Sequence, residues 1–428
     1  MLNVTTNVFV ASIGVFTGTL LARLLGPQGS GEFAAIQSWP LSIGNFAQLG
    51  TAPALIYYSG REPNRAAGYL GSAGVTVLLA SGPFMLVAYL LMPTLLAAQS
   101  PAVVHAARLY LLVVPFVGLM NLSFCSIRGR ADFVTWNLFR MIQLLAWAAL
   151  LVGAWVVDCR KPQLVAYAYL VEFALLSFLI AATVKRQTPG SLAPRAKEFV
   201  ALLRYGLPCI ATSLPVLFNK RLDQMLLAAF MPSAQLGLYV VAVAWSESVN
   251  LLLSAVSSAL FPKIAMEPNE DRRARAFAQG SRLAAFLSVV TGIVLMVATR
   301  RGMVLFFGQK FEGAVTAALI LVPAGAVAGY NLVVEEGLRG LGYPGSILRA
   351  ESAGLVATIV SLALLLRPFG IVGASIASLA GYSTTTAILL TQARWLTGAS
   401  TSALLFPNFD EINTGIQQIR LLFRKAIA

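Results

Sequence analysis

The sequence predicts an all-α polytopic membrane protein, with about twelve spans of roughly 20 residues each, built as two related halves. Three observations predict this. Only 11% of the 428 residues are charged and 58% are hydrophobic, at a mean hydropathy of +0.77. A water-facing surface needs roughly 25% charged residues. Apolar runs long enough to cross a bilayer core of about 30 Å recur along nearly the whole chain. The third observation is internal repetition. Gly31-Glu32-Phe33 with Trp39 is answered by Gly237-Leu238-Tyr239 with Trp245 at one constant offset, and Pro27 by Pro232 one residue out of step.

The spans are expected near residues 2–22, 33–57, 68–96, 106–127, 133–157, 163–184, 205–230, 234–260, 280–300, 314–338, 346–366 and 371–395. No basic segment precedes the first run and no small-residue cleavage site follows it, so the first span is expected to stay in the mature protein. The longest connections, Lys185 to Arg204 and Phe261 to Gln279, are far shorter than the roughly 50 residues a soluble catalytic or nucleotide-binding domain needs. Most of the 31 Lys and Arg residues fall in the even-numbered connections and the tail. By the positive-inside rule this puts both termini in the cytoplasm. The same distribution turns the net charge of +14 into a topology signal and away from nucleic-acid binding. Cys125, Cys159 and Cys209 lie in or beside apolar runs without metal or disulfide spacing, and read as small buried hydrophobes. No metal site or cofactor is expected.

Prolines interrupt several spans, at Pro53, Pro83, Pro115, Pro208, Pro215 and Pro323. Each removes a backbone hydrogen bond and can bend its helix. Pro208 and Pro215 stand out because they precede a charged knot on the same span. After the last span, Ile412, Ile416, Ile419, Phe423 and Ile427 recur at helical spacing, with Gln417, Arg420 and Arg424 opposite. This predicts an amphipathic helix lying on the cytoplasmic membrane face.

The knot is Asn219, Lys220, Arg221, Asp223 and Gln224 in span seven, and Glu247 interrupts the apolar run of span eight. An ionised side chain within a span costs roughly 2.5–3.5 kcal/mol on insertion scales, so such residues face a bundle interior or a wet path. Two acids, Glu172 and Glu247, sit near mid-span, and Asp223 lies toward the outer side. Carboxyl groups in that setting can exchange protons. They form a coupling relay for protons or sodium, or they pair structurally, for example Glu247 with Arg221. Lys220 and Asp223 are three apart and either pair with each other or face a cavity. Arg23 and Arg140 either face a cavity or snorkel to the interface. Glu335, Glu336, Arg339, Arg349 and Glu351 cluster near the inner face, as a salt-bridge gate or as ordinary interfacial charge, and His105 reads as an interfacial residue.

Several segments, in order and spacing, resemble one family. They are Arg23-Leu24-Leu25-Gly26-Pro27 with Gly31-Glu32-Phe33, Leu49-Gly50 with Tyr57, Lys220-Arg221-Leu222-Asp223, and Gly237-Leu238-Tyr239. Arg339-Gly340-Leu341-Gly342-Tyr343-Pro344 and the run from Phe369 to Ala377 complete the set. The chain resembles, from about residue 3 to 395, the polysaccharide flippases (Wzx-type O-antigen or exopolysaccharide translocases) of the multidrug/oligosaccharidyl-lipid/polysaccharide superfamily. The resemblance implies two pseudo-symmetric six-helix bundles, residues 1–184 and 205–395. A cytoplasmic linker (185–204) joins them, and a cytoplasmic tail (396–428) follows. It implies alternating access in the bacterial cytoplasmic (inner) membrane, carrying a lipid-pyrophosphate-linked oligosaccharide outward, with a proton or sodium as coupling ion. Polysaccharide polymerase or export proteins are the implied partners.

An anionic diphosphate calls for cations and donors, which nominates Arg23, Arg140, Lys220 and Arg221 for the substrate, and Glu172, Asp223 and Glu247 for ion coupling. A multidrug or cation antiporter of the same superfamily is the competing expectation, since the three acids would suit a cationic cargo. A membrane enzyme is disfavoured by the single histidine and by the absence of an acidic pair in an outer loop. A channel is disfavoured because no segment reads as a filter.

Overall fold

The computed structural model describes residues 2–406. The expected amphipathic helix at residues 411–427 lies outside the described residues. Fourteen α-helices and two short 3-10 turns make up the fold, without a strand among the described residues. They are α1 (Leu2–Phe46), α2 (Thr51–Arg61), α3 (Ala66–Leu95), α4 (Pro101–Tyr110), α5 (Val113–Gly129), α6 (Phe133–Val156) and α7 (Pro162–Gln187). After them come α8 (Ala196–Phe230), α9 (Ser233–Glu247), α10 (Asn250–Ala265), α11 (Glu270–Phe307), α12 (Val315–Gly340), α13 (Pro344–Thr397) and α14 (Thr401–Leu405).

The expected spans fall largely on helix, but those at 33–57, 106–127 and 234–260 are each interrupted by a turn. Among the described residues six helices are long and apolar enough to cross a membrane alone, and three bent pairs raise that to nine, against the twelve expected. The two longest helices each hold a break. α13 has 54 residues, which unbroken would reach about 80 Å against a hydrocarbon core of about 30 Å. Gly370, at φ 55°, breaks it just after Pro368. Gly26, at φ 66°, does the same in α1 just before Pro27. Glycine takes these left-handed angles without the Cβ penalty other residues meet. The chain is a multi-pass membrane protein.

The prolines act selectively. Pro115 follows the 42° bend between α4 and α5; it has no N–H for the carbonyl of Leu111 four residues earlier, which accepts from Val114 N–H at 3.0 Å instead. α8 likewise consists of two legs, Ala196–Ile210 and Ser213–Phe230, set at an angle. Pro83 and Pro323, by contrast, lie inside α3 and α12 without ending them. The second expected span also holds a break that its hydrophobicity hides. Leu49 (φ 48°) and Gly50 (φ 70°) separate α1 from α2. Helix starts carry ordinary caps: Ser100 accepts from Val103 N–H, and Asp132 Oδ1 from Thr135 N–H at 3.1 Å. The hydroxyl and N–H of Thr135 hold the Asp132 carboxyl below the usual carboxylate range.

The helices fall into two compact units. The first comprises Met1–Trp245, Arg300–Ala318 and Ser361–Ser375; the second takes Ser246–Thr299, Leu319–Val360 and the chain from Ile376. In the first, Leu55, Tyr69, Val77, Leu122 and Leu202 form a buried cluster. The 185–204 connection is pinned to α3 there. Arg195 N–H donates to Ser72 Oγ at 3.1 Å, and the fully buried Glu198 faces Arg65 at 3.5 Å. The second unit packs Leu253, Phe277, Val333 and Leu338 together. Polar contacts cross it as well: Ser281 Oγ lies 2.8 Å from Tyr330 Oη, and Asn331 Nδ2 donates to Tyr382 O at 3.0 Å. Arg339 pairs with Glu336 one turn earlier.

Candidate functional site

The first unit encloses a cavity of about 470 Å³. One side of α1 supplies much of its wall, from Gly18 to Asn45, with α5, α7, α8 and α9 closing round it. α1 can do this because its polar residues Ser30, Gln37, Ser38, Ser42 and Asn45 recur at helical spacing, on a common side. Asn121 of α5 and Arg221 and Gln224 of α8 face the same space. Such a lining offers many hydrogen-bond donors and acceptors. Arg221 is its one charged side chain among the described residues, and no carboxylate lines it. The Arg221 guanidinium is exposed and held on its helix by a 3.4 Å hydrogen bond to Gln224 Oε1.

The other nominated cations lie elsewhere. Lys220 is exposed but is not part of the lining. Among the described residues no ion pair joins Lys220 to Asp223. Arg23 Nε donates to the carbonyl of Phe306 at 2.8 Å, and its guanidinium also reaches that of Leu305. These are carbonyls of the last turn of α11, which a helix leaves without internal donors and where a cation is favoured. Arg140 stacks over the Trp136 ring at 4.4 Å.

The acids divide similarly. Asp223 is buried, accepting from Tyr239 Oη of α9 at 2.5 Å and from Gln224 N–H at 2.7 Å. It ties α8 to α9 behind the Arg221 face. Glu247 is the last residue of α9, exposed, and belongs to the second unit. Glu172, like Asp223, adjoins the cavity wall without lining it, since the next residues, Phe173 and Gln224, line it. Both Glu172 carboxyl oxygens are buried without a hydrogen-bond partner among the described residues. Tyr110 Oη accepts from Gln37 Nε2 at 3.0 Å, and Gln37 faces the cavity. A hydrogen bond therefore links the cavity wall at Gln37 to the buried Tyr110 behind it.

Two helix crossings between the start and the middle of the chain flank this space. At one, a Cβ on Gly31 would overlap the carbonyl of Ser233, and a Cβ on Gly237 would overlap that of Pro27. The repeat offset maps Gly31 onto Gly237 and Pro27 onto Ser233, so the contact is reciprocal. Gln99 reinforces it, donating from Nε2 to the carbonyls of Ala228 and Met231 at 2.8 and 2.9 Å and accepting from Ser233 Oγ at 2.6 Å. At the second crossing Gly50 and Gly206 meet backbone to backbone, with Tyr57 stacked on Tyr205 at 4.7 Å and Phe46 against Phe218 at 5.4 Å.

Sequence reasoning nominated charges and passed over Gln37, Asn45, Asn121 and Tyr110. Asn and Gln within apolar runs were the available signal, because an amide in hydrocarbon without a partner is costly.

Comparison with known proteins agrees with this architecture. Residues 1–267 match the family described as "Polysaccharide biosynthesis protein". A probable low-salt glycan biosynthesis flippase, Agl15, of Haloferax volcanii is 23% identical over 198 residues, which cover 46% of this chain and 42% of that protein. The chain thus spans well under two-thirds of that relative. A structure of the lipid II flippase MurJ in an inward closed conformation superposes with a TM-score of 0.80 at 14% identity, over 100% of this chain and 93% of that one. An inward-facing multidrug resistance MATE family transporter of the MOP superfamily gives 0.74 at 15% identity, over 91% and 96%. These likenesses show the fold. With more than half of its length matched, this membrane chain belongs to the polysaccharide biosynthesis protein family.

Proposed function

We propose that the chain moves a lipid-(pyro)phosphate-linked oligosaccharide from the inner to the outer leaflet of a bacterial cytoplasmic membrane, for surface polysaccharide synthesis. The observation that carries this reading is the cavity's charge: one exposed arginine in a neutral, amide- and hydroxyl-rich wall. A guanidinium presents a planar fork of donors that matches phosphate oxygens, and the amides and hydroxyls suit sugar hydroxyls. A cation exporter needs acid in its wall, and among the described residues none lines this one. The flippase named among the relatives supports the same class of cargo.

In this account Arg221 holds the diphosphate. Glu172, next to the wall residue Phe173, takes the coupling proton or sodium, and Asp223 positions α8 through Tyr239. The moving bodies are the repeat halves, residues 1–184 and 205–395, joined by 185–204, with both termini cytoplasmic. The reciprocal contact of Gly31 and Gly237 supports a two-fold relation between them, and repeat halves rocking about a midplane site is the general physics of such transporters. Deleting the gene is the test. Lipid-linked glycan units should accumulate on the inner leaflet; unchanged export with no accumulation contradicts the reading.

A further inference from the structure

A second cavity, of about 440 Å³, lies between α3, α5 and α7 in the first unit. It falls within the roughly 300–1,000 Å³ typical of ligand sites. α5 separates it from the polar cavity: Val117 and Asn121 face the latter, whereas Phe116 and Leu119 face the former. Its wall is apolar for nearly its whole length. Leu78 and Phe178, which line it, are 64% and 58% exposed, so the groove opens toward the lipid side of the helices. Space within it is real: a Cβ added at Gly74 meets nothing within 4 Å.

One charged residue lines this groove, Lys185, in the last turn of α7. Lys185 is exposed and makes no ion pair among the described residues. Arg130, by contrast, is engaged by the end of α7, donating to Gln187 O at 2.9 Å. Leu192 of the 185–204 connection completes the wall at the same end. An apolar slot with a lone ammonium at its mouth is complementary to a molecule with a hydrocarbon tail and one anionic head. By the distribution of basic residues, that mouth is at the cytoplasmic leaflet, where anionic lipids attract such cations.

We propose that this groove is a resident-lipid site, holding one acyl chain of an anionic membrane phospholipid with its phosphate on Lys185. The occupant is a bulk phospholipid and not the glycan carrier, because α5 stands between this slot and the polar cavity that would have to receive a glycan head. A lipid seated here touches α3, α5 and the connection between the halves together, and so acts on the elements that move if the halves rock.

The test uses the full-length protein in nanodiscs of equimolar dioleoylphosphatidylglycerol and dioleoylphosphatidylcholine, extracted and read by native mass spectrometry. The wild type should retain a phosphatidylglycerol adduct with about a fivefold preference over phosphatidylcholine, the size expected for one lysine near the surface. Lys185→Gln should bring that preference to about unity, and Gly74→Leu, which fills the slot, should remove both adducts. Equal retention of the two lipids by the wild type, or full preference in Lys185→Gln, overturns the proposal. Retention of a polyprenyl-phosphate mass in place of phospholipid overturns it too, by naming the other occupant. Should Gly74→Leu fail to fold, Lys185→Gln decides alone. The readout is binding, so failure of the transport reading leaves it unaffected.

Discussion

Gly31 of α1 and Gly237 of α9 meet backbone to backbone, each occupying the space a side chain would fill against the other's helix. The pair is related by the internal repeat, and the contact is two-fold: Gly31 lies on Ser233 and Gly237 on Pro27. A self-complementary contact of this kind is what a two-fold relation produces. Replacing either glycine by leucine should therefore have the same effect, separating the crossing at a cost of about 1–3 kcal/mol of overpacking. Ser30, buried at the cavity wall, is the reporter. A Ser30→Cys protein with the three native cysteines replaced should react with a membrane-impermeant thiol reagent faster in either leucine background. Unequal or absent acceleration argues against the two-fold contact.

Arg221→Ala should lower glycan export by about 10- to 100-fold, the loss expected for hydrogen bonds to a charged group worth about 1.5–3 kcal/mol. Arg221→Lys keeps the charge but not the fork, and should recover only part. Membrane insertion, followed by immunoblot of the membrane fraction, should be unchanged in both. Full export by Arg221→Ala removes the residue from the site.

The charges named from the sequence were half the answer, and the reason is directional. Hydropathy reveals that Lys220, Arg221 and Asp223 are expensive in a span, but adjacent positions on a helix point about 100° apart. Arg221 thus reaches the cavity, Asp223 turns back to Tyr239, and Lys220 lies outside the lining. Arg23 was legible as a charge near a span's end, while its partners, the carbonyls of Leu305 and Phe306, lie 282 and 283 residues away. The polytopic helical fold was legible because apolar length is a local property. The break at Leu49-Gly50 was not, since a left-handed pair leaves hydropathy unchanged.

Glu172→Gln preserves shape and removes the charge. The carboxyl oxygens are buried without a partner among the described residues, so the substitution should leave the protein at least as stable in thermal unfolding. Transport should instead lose its response to an imposed proton or sodium gradient in vesicles. A gradient response equal to wild type rules out Glu172 as the coupling group.

Tyr239→Phe removes the hydroxyl that donates to buried Asp223. Leaving a buried acceptor short of a donor costs about 1–3 kcal/mol, which should appear as a lowered thermal midpoint in detergent. Asp223→Asn, combined with it, should cost less than the two singles added together, because the partners belong to one contact. Additive losses would mean that they act separately.

The most direct measurement is flipping by purified protein in proteoliposomes. A fluorescent polyprenyl-diphosphate oligosaccharide is loaded in one leaflet, and its appearance in the other is followed by an impermeant quencher. Wild type should transfer it, Arg221→Ala should transfer it at least about tenfold more slowly, and a cationic dye should not be moved. No transfer of the glycan lipid by wild type, with gradient-driven movement of the cationic dye, would contradict the account and make the chain an exporter on the same fold.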